Sequence, residues 1–175
     1  MSRVYCIGPM GSGKSILARQ LSESCNVPHR DMDDLIVERI GSTIKRYVKK
    51  YGEAKFRVVE SLILDELSAV GNIVIATGGG SVLLEKNRSI ISNSGCVIYL
   101  KTSVKCCVGR LESNFGDRFL LDSMETLIDT LSNLQKIREH LYQEIATLTI
   151  ITDNLNCDEV NEQALAHVQE VVRWS

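Results

Sequence analysis

The stretch GPMGSGKS, residues 8–15, constrains this 175-residue chain more than any other feature. It fits G-x-x-x-x-G-K-[ST], follows the apolar run Val4–Ile7, which reads as a strand, and opens a segment with helical periodicity. A chain that leaves a strand and enters a helix across so short a loop has to curl tightly, and Gly8, Gly11 and Gly13 permit this. The curl turns backbone N–H groups inward, and the positive end of the following helix adds to their attraction for phosphate oxygens. Lys14 is placed to reach the β- and γ-phosphates and the Ser15 hydroxyl to ligate Mg²⁺, so the stretch predicts a nucleoside triphosphate site.

The rest of the chain predicts the frame for that loop. Apolar runs at 4–7, 73–77, 96–100 and 148–152 read as buried strands, with a fifth, brief strand ending at Asp31. Helical patterns fall at about 14–24, 33–40, 43–51, 53–70, 83–92, 103–112, 124–146 and 157–173. The alternation predicts an α/β domain with a parallel sheet covered on both faces, one unit spanning residues 1–175. Ser42 and Asp158 are candidate helix caps, and the Gly116-containing stretch 112–122 reads as a surface loop.

Charge and composition narrow the partners. With 20 basic residues against 22 acidic, there is no basic excess for a nucleic-acid track. No apolar window is long enough for a membrane span, and the N-terminus has no secretory pattern, so a cytoplasmic protein without membrane association is expected. The six cysteines and three histidines are scattered without CxxC spacing, which argues against a zinc site or a disulfide framework.

Three further stretches carry candidate chemistry. In RDMDD, a strand reaching Asp33 would point Asp31 and Asp33 to one face at the sheet's carboxyl edge; the competing reading is that Asp33 or Asp34 only caps the next helix. In EAKFRVVES, Arg57 and Glu60 share a helix face. They form either a solvated surface pair or a held guanidinium aimed at an anionic substrate. In ATGGGSV, Gly78, Gly79 and Gly80 stand together at the end of a strand, as a tight turn or as bare backbone against a ligand. The basic run KRYVKKYGEAK reads as a solvated helix face.

The succession GPMGSGKS, DMD, FRVVE, GGG, a lid arginine and REHLY resembles shikimate kinase, a member of the P-loop, nucleoside-monophosphate-kinase-like group, across nearly the whole chain. The resemblance implies a three-layer α/β/α sandwich with a five-stranded parallel sheet in the order 2-3-1-4-5. It further implies a substrate segment at about 33–60 and a lid at about 112–122. The implied reaction is ATP-dependent phosphorylation of the 3-hydroxyl of shikimate, on the route to chorismate and aromatic amino acids, by a cytoplasmic monomer. By the same resemblance Gly11, Ser12, Gly13, Lys14, Ser15 and Ile16 bind nucleotide, Arg110 packs beside adenine, and Arg118 closes over the transferring phosphate. Ser15 and Asp31 serve Mg²⁺. Asp33 holds the shikimate hydroxyls and is the candidate base, Arg57 and Arg138 clamp the carboxylate, and Gly78, Gly79 and Gly80 lie against the ring.

The chain departs from the family pattern at three places. Phe119 and Leu120 follow the lid arginine in place of proline and leucine, Val48 stands where an aromatic often walls the pocket, and TDNLNCD carries no arginine after the last strand. A gluconate or nucleoside-monophosphate kinase, and a nucleotide-dependent binding protein without catalysis, are the rival readings. The triple glycine with Arg57 and Arg138 favours a carboxylated polyol over a nucleotide as acceptor.

Overall fold

Residues 4–7 alternate in the direction they face, and both directions are apolar: Tyr5 and Ile7 enter one buried cluster, Val4 and Cys6 another. A strand buried on both faces belongs at the centre of a covered parallel sheet, and that is where the computed structural model, which describes residues 2–112 and 124–174, places it. Strand β1 (Arg3–Ile7) lies between β3 (Ile73–Ala76) and β4 (Cys96–Lys101), with β2 (His29–Asp31) and β5 (Leu148–Ile151) at the edges. All pairings are parallel and the order is β2-β3-β1-β4-β5.

Helices α1 (Lys14–Cys25) and α8 (Cys157–Val171) cover one face, burying Leu17, Leu21, Ala164 and Val168 against Val4, Cys6, Val74 and Ile98. The other face is covered by α2 (Met32–Ile40), α4 (Glu53–Ala69), α5 (Glu85–Ser94) and α7 (Met124–Ile145), whose Met32, Ile36, Phe56, Leu64, Ile91 and Tyr142 pack on Tyr5, Ile75, Val97 and Tyr99. Helix α3 (Ile44–Tyr51) buries no residue fully, and α6 (Val104–Glu112) joins α7 through a small cluster of Cys107, Val108, Leu111, Leu127 and Leu131. Among the described residues no helix is long and apolar enough to cross a membrane.

The expected strand order and helix succession are observed. The differences lie at the ends of elements. Strand β2 stops at Asp31 and does not reach Asp33, because Asp31 turns into the N-cap of α2 and its carboxylate accepts the Asp33 N–H at 2.9 Å. Neither Asp33 nor Asp34 is that cap. Thr43, not Ser42, caps α3, accepting the Arg46 N–H at 3.3 Å. Helix α5 begins at Glu85, where the sequence predicts a start near residue 83, and a separate 3-10 turn, Ser81–Leu83, precedes it.

Asp158 is likewise not the cap of α8. Asn156 accepts the N–H groups of Asp158 (2.9 Å) and Glu159 (3.0 Å), and the Glu159 carboxylate accepts the Asn156 N–H at 2.7 Å, closing a reciprocal capping box. Asn156→Ala should therefore lower stability by about 1 kcal/mol in urea unfolding. Asp158→Ala, which keeps the box, should cost clearly less; equal losses would return the cap to Asp158.

Candidate active site

The phosphate loop joins β1 to α1. Gly8, Gly11 and Gly13 hold φ values of 146°, 81° and 98°, which side chains resist, so the glycine spacing is a backbone requirement here. Gly13 forms the N-cap of α1 with no side-chain cap, and the first turn carries no acidic residue. The positive end of the helix is thereby left to an external anion, in contrast to α2, α3 and α8, which satisfy theirs with Asp31, Thr43 and Asn156. Lys14 folds back over the loop, its Nζ donating to the Pro9 carbonyl at 2.8 Å. Ser12 is buried, while Ser15 and Ile16 are exposed in the first turn of the helix.

Asp31 serves two neighbours at once. One carboxylate oxygen caps α2, and the other accepts the Ser15 hydroxyl at 2.5 Å. The pair offers only hard oxygen donors beside the phosphate loop, and no cluster of three or more His, Cys, Asp or Glu capable of holding a metal occurs among the described residues. This is the donor set that suits Mg²⁺, which takes one or two protein oxygens together with phosphates and water. Asp33 sits in the first turn of α2, exposed, on the same edge of the sheet as Asp31.

The three glycines that end β3 have a spatial rather than a conformational reason, since none adopts positive φ. A methyl carbon built on Gly80 would lie 2.7 Å from Cζ of Arg57. On Gly78 it would lie 2.8 Å from Oε1 of Glu60 and 3.2 Å from Oδ1 of Asp33. On Gly79 it would lie 3.4 Å from the Gly8 carbonyl, 3.6 Å from the Met10 nitrogen and 3.8 Å from Nη1 of Arg138. Asp33, Arg57, Arg138 and the phosphate loop therefore converge on one strip of bare backbone. The room that a side chain would take is used first by the protein's own charged groups.

Arg57 is not a surface partner of Glu60. Its side chain is 12% exposed and that of Glu60 1%, with Nη1 of Arg57 donating to Oε2 of Glu60 at 2.7 Å. Nη2 donates to Oε1 of Glu53 at 2.9 Å, and the Ser81 hydroxyl donates to the other Glu60 oxygen at 2.9 Å. Burial works against the Arg57 charge, but Glu60 and then Glu53 outweigh it and its pKa is raised above the ordinary arginine value. Sequence reading did not assign Glu53 or Ser81; the first was readable as an i,i+4 partner of Arg57, whereas the second follows only from how the chain folds back after the glycines.

Arg110 reaches the phosphate loop from α6. Its Nη1 donates to the Ser12 carbonyl (3.3 Å) and to Oγ1 of Thr152 (3.1 Å), and Nη2 donates to the Thr152 carbonyl at 2.8 Å. It thus ties the phosphate loop to the end of β5. In the stretch TDNLNCD that follows β5, Asp153 accepts the Ser103 N–H at 2.8 Å, and that backbone bond holds its carboxyl below the usual range. Val48 is half-buried against the core beside Tyr47. Arg118, with Phe119 and Leu120, lies outside the described residues. Every cysteine is a free thiol, and burial pushes Cys107 up to about 11 and Cys6 up to about 12.

Comparison with known proteins follows the same lines. The shikimate kinase family model matches residues 10–169. A shikimate kinase from Thioalkalivibrio sulfidiphilus is 41% identical over 173 residues, covering 99% of this chain and 86% of that protein. One from Haemophilus influenzae is 41% identical over 153 residues, covering 87% and 84%. The solved structure of Acinetobacter baumannii shikimate kinase in complex with shikimate superposes with a TM-score of 0.91 at 33% identity, covering 99% of this chain and 96% of that one. A gluconokinase from Sinorhizobium meliloti, 18% identical with a TM-score of 0.69, shares the fold.

The contacts around the glycine strip rank its members. Gly80→Ala should cost about 1–3 kcal/mol, because its methyl would meet the Arg57 guanidinium, which can give way only by breaking its ion pairs with Glu60 and Glu53. Gly79→Ala, whose methyl meets nothing closer than 3.4 Å, should be mild. Thermal unfolding of the two variants checks the order, and equal melting temperatures would refute it.

Proposed function

Because this chain belongs to the shikimate kinase family, we propose that it transfers the γ-phosphoryl group of ATP to the 3-hydroxyl of shikimate, giving shikimate 3-phosphate and ADP. The observation that carries the reading is the convergence of Asp33, Arg57 and Arg138 on the glycine strip, which itself adjoins Gly8 and Met10 of the phosphate loop. A cyclic acid alcohol held there has its carboxylate between two guanidinium groups and a hydroxyl toward the nucleotide.

The transition state of phosphoryl transfer is loose, and its charge spreads over the phosphoryl oxygens, so the protein contributes chiefly alignment and charge neutralisation. The uncapped start of α1, the N–H groups of residues 11–15 and the Lys14 ammonium supply the neutralisation. Ser15 and Asp31 would hold Mg²⁺, which screens the phosphate charge when bound. Arg57 and Arg138 orient the carboxylate and Asp33 the ring hydroxyls. As the new O–P bond forms and the bond to the β-phosphate breaks toward ADP, the hydroxyl proton passes to the Asp33 carboxylate. Alignment contributes about 7–11 kcal/mol and a general base only about 10²–10⁴ in rate, so Asp33 acts mainly as a positioning ligand. Arg118, on the family resemblance, closes over the transferring group.

ADP release measured with ATP, Mg²⁺ and, in parallel, shikimate, gluconate and AMP tests the reaction. Release driven by shikimate alone is expected; a faster reaction with gluconate or AMP, or none with any acceptor, would overturn it. Asp33→Asn should keep ATP binding by calorimetry while shikimate turnover falls by at least about 10²-fold. A matching loss of ATP binding would move Asp33 to the metal.

A further inference from the structure

Helix α7 carries Arg138 and, one turn later, Tyr142, so the two side chains share a face. Tyr142 is 2% exposed, and its ring stacks on Tyr99 of β4 with centroids 5.0 Å apart and planes 23° from parallel. Its hydroxyl reaches beyond this apolar stack and donates to the Gly79 carbonyl at 2.6 Å. A phenol has a single proton, so once it is given to Gly79 only the oxygen lone pairs remain to face other groups. Arg138 lies close enough to act on that oxygen by its charge and by side-chain hydrogen bonding, both lowering the Tyr142 pKa; burial is the larger effect and raises it, keeping the proton on the phenol.

The two clamps are therefore held by different means. Arg57 is gripped by Glu60 and Glu53. Arg138 makes no ion pair among the described residues, and its Nε is buried without a hydrogen-bond partner there. Near its guanidinium lie Gly79, whose built methyl carbon would be 3.8 Å from Nη1, and the Tyr142 hydroxyl, which itself donates to the Gly79 carbonyl and feels the Arg138 charge.

Resting on the reading of the site as a shikimate pocket, we propose that Tyr142 is a positioning residue for the acceptor: its hydroxyl sets the Arg138 guanidinium and the Gly79 backbone in one arrangement, so that one carboxylate clamp and the floor of the pocket are aligned together. A tyrosine that only filled the core would need its ring and not its oxygen. Tyr142→Phe separates the two roles, since it keeps the ring and the stack on Tyr99.

The variant should raise the shikimate KM about tenfold, the effect of losing one buried hydrogen bond, with the ATP KM unchanged. Its preference for shikimate over the uncharged methyl ester should also narrow, because the misaligned Arg138 no longer rewards the charge. Tyr99→Phe, which removes a phenol oxygen from the same stack without touching Gly79, should keep the wild-type shikimate KM. An unchanged shikimate KM in Tyr142→Phe, a parallel rise in both KM values, an unchanged ester preference or an equal effect of Tyr99→Phe would each overturn the proposal. The wild-type protein is assayed alongside. Its failure to turn over shikimate would defeat the reaction itself, whereas normal wild-type turnover with an unaffected Tyr142→Phe would defeat only the role of Tyr142.

Discussion

The parallel pairing of β1 with β3, Val4 beside Val74 and Cys6 beside Ala76, is the constraint from which the site follows. Parallel neighbours end on the same edge of the sheet, so the phosphate loop and the triple glycine emerge side by side although about seventy residues separate them. Thr77 reinforces the junction, both its N–H (3.1 Å) and its hydroxyl (3.2 Å) donating to the Cys6 carbonyl. On the far side of β3, β2 brings Asp31 to the same edge. Asp31 stands two strands from β1, roughly 9–10 Å away, and the Ser15 hydroxyl bridges to it because α1 packs across β3 and β2.

Burying the Arg57–Glu60 pair would be poor economy for stability alone, since desolvation of two charges commonly offsets their attraction. Here the carboxylate of Glu60 is fully occupied, by Nη1 of Arg57 on one oxygen and the Ser81 hydroxyl on the other. That arrangement makes the pair rigid as well as tolerable. It also couples the fold to the site: removing Arg57 leaves the buried Glu60 carboxylate without its ion pair, a loss of about 3–5 kcal/mol, whereas Arg57 without Glu60 would still have Glu53. The absence of side chains at Gly78 and Gly80 is the complementary half of the same device, because a methyl carbon at either would displace the network.

Much of this was legible beforehand, and the parts that were not have physical reasons. The phosphate loop reads clearly because its glycines answer to backbone φ values, a property local to eight residues. The sheet order came from family resemblance, and periodicity alone predicted only its parallel sense. RDMDD left two readings open, Asp31 and Asp33 on one strand face or Asp33 or Asp34 as a helix cap, and neither holds: the Asp31 carboxylate takes the Asp33 N–H, ends the strand and is itself the cap. Ser42 and Asp158 were mistaken for caps by one or two residues, as several polar residues compete near each helix start and only the three-dimensional turn selects one. The triple glycine was read as making room for the ring of the substrate. Within the protein its nearest neighbours include Arg57, Glu60 and Asp33, contacts between segments that no local pattern encodes.

The two arginines at the pocket differ in what they bring to an anion. Arg57 faces Glu60 and Glu53, so the charge of its guanidinium is already answered by carboxylates within 2.9 Å, and what remains to a ligand is mainly the geometry of its uncommitted N–H groups. Arg138 makes no ion pair among the described residues, and the group its charge acts on there is the neutral Tyr142 phenol. In a partly buried site that difference is large, because the attraction between unit charges grows as the effective dielectric falls from that of water. Among the described residues, ion pairs hold Arg57 in place, whereas a neutral phenol stands near the charge of Arg138.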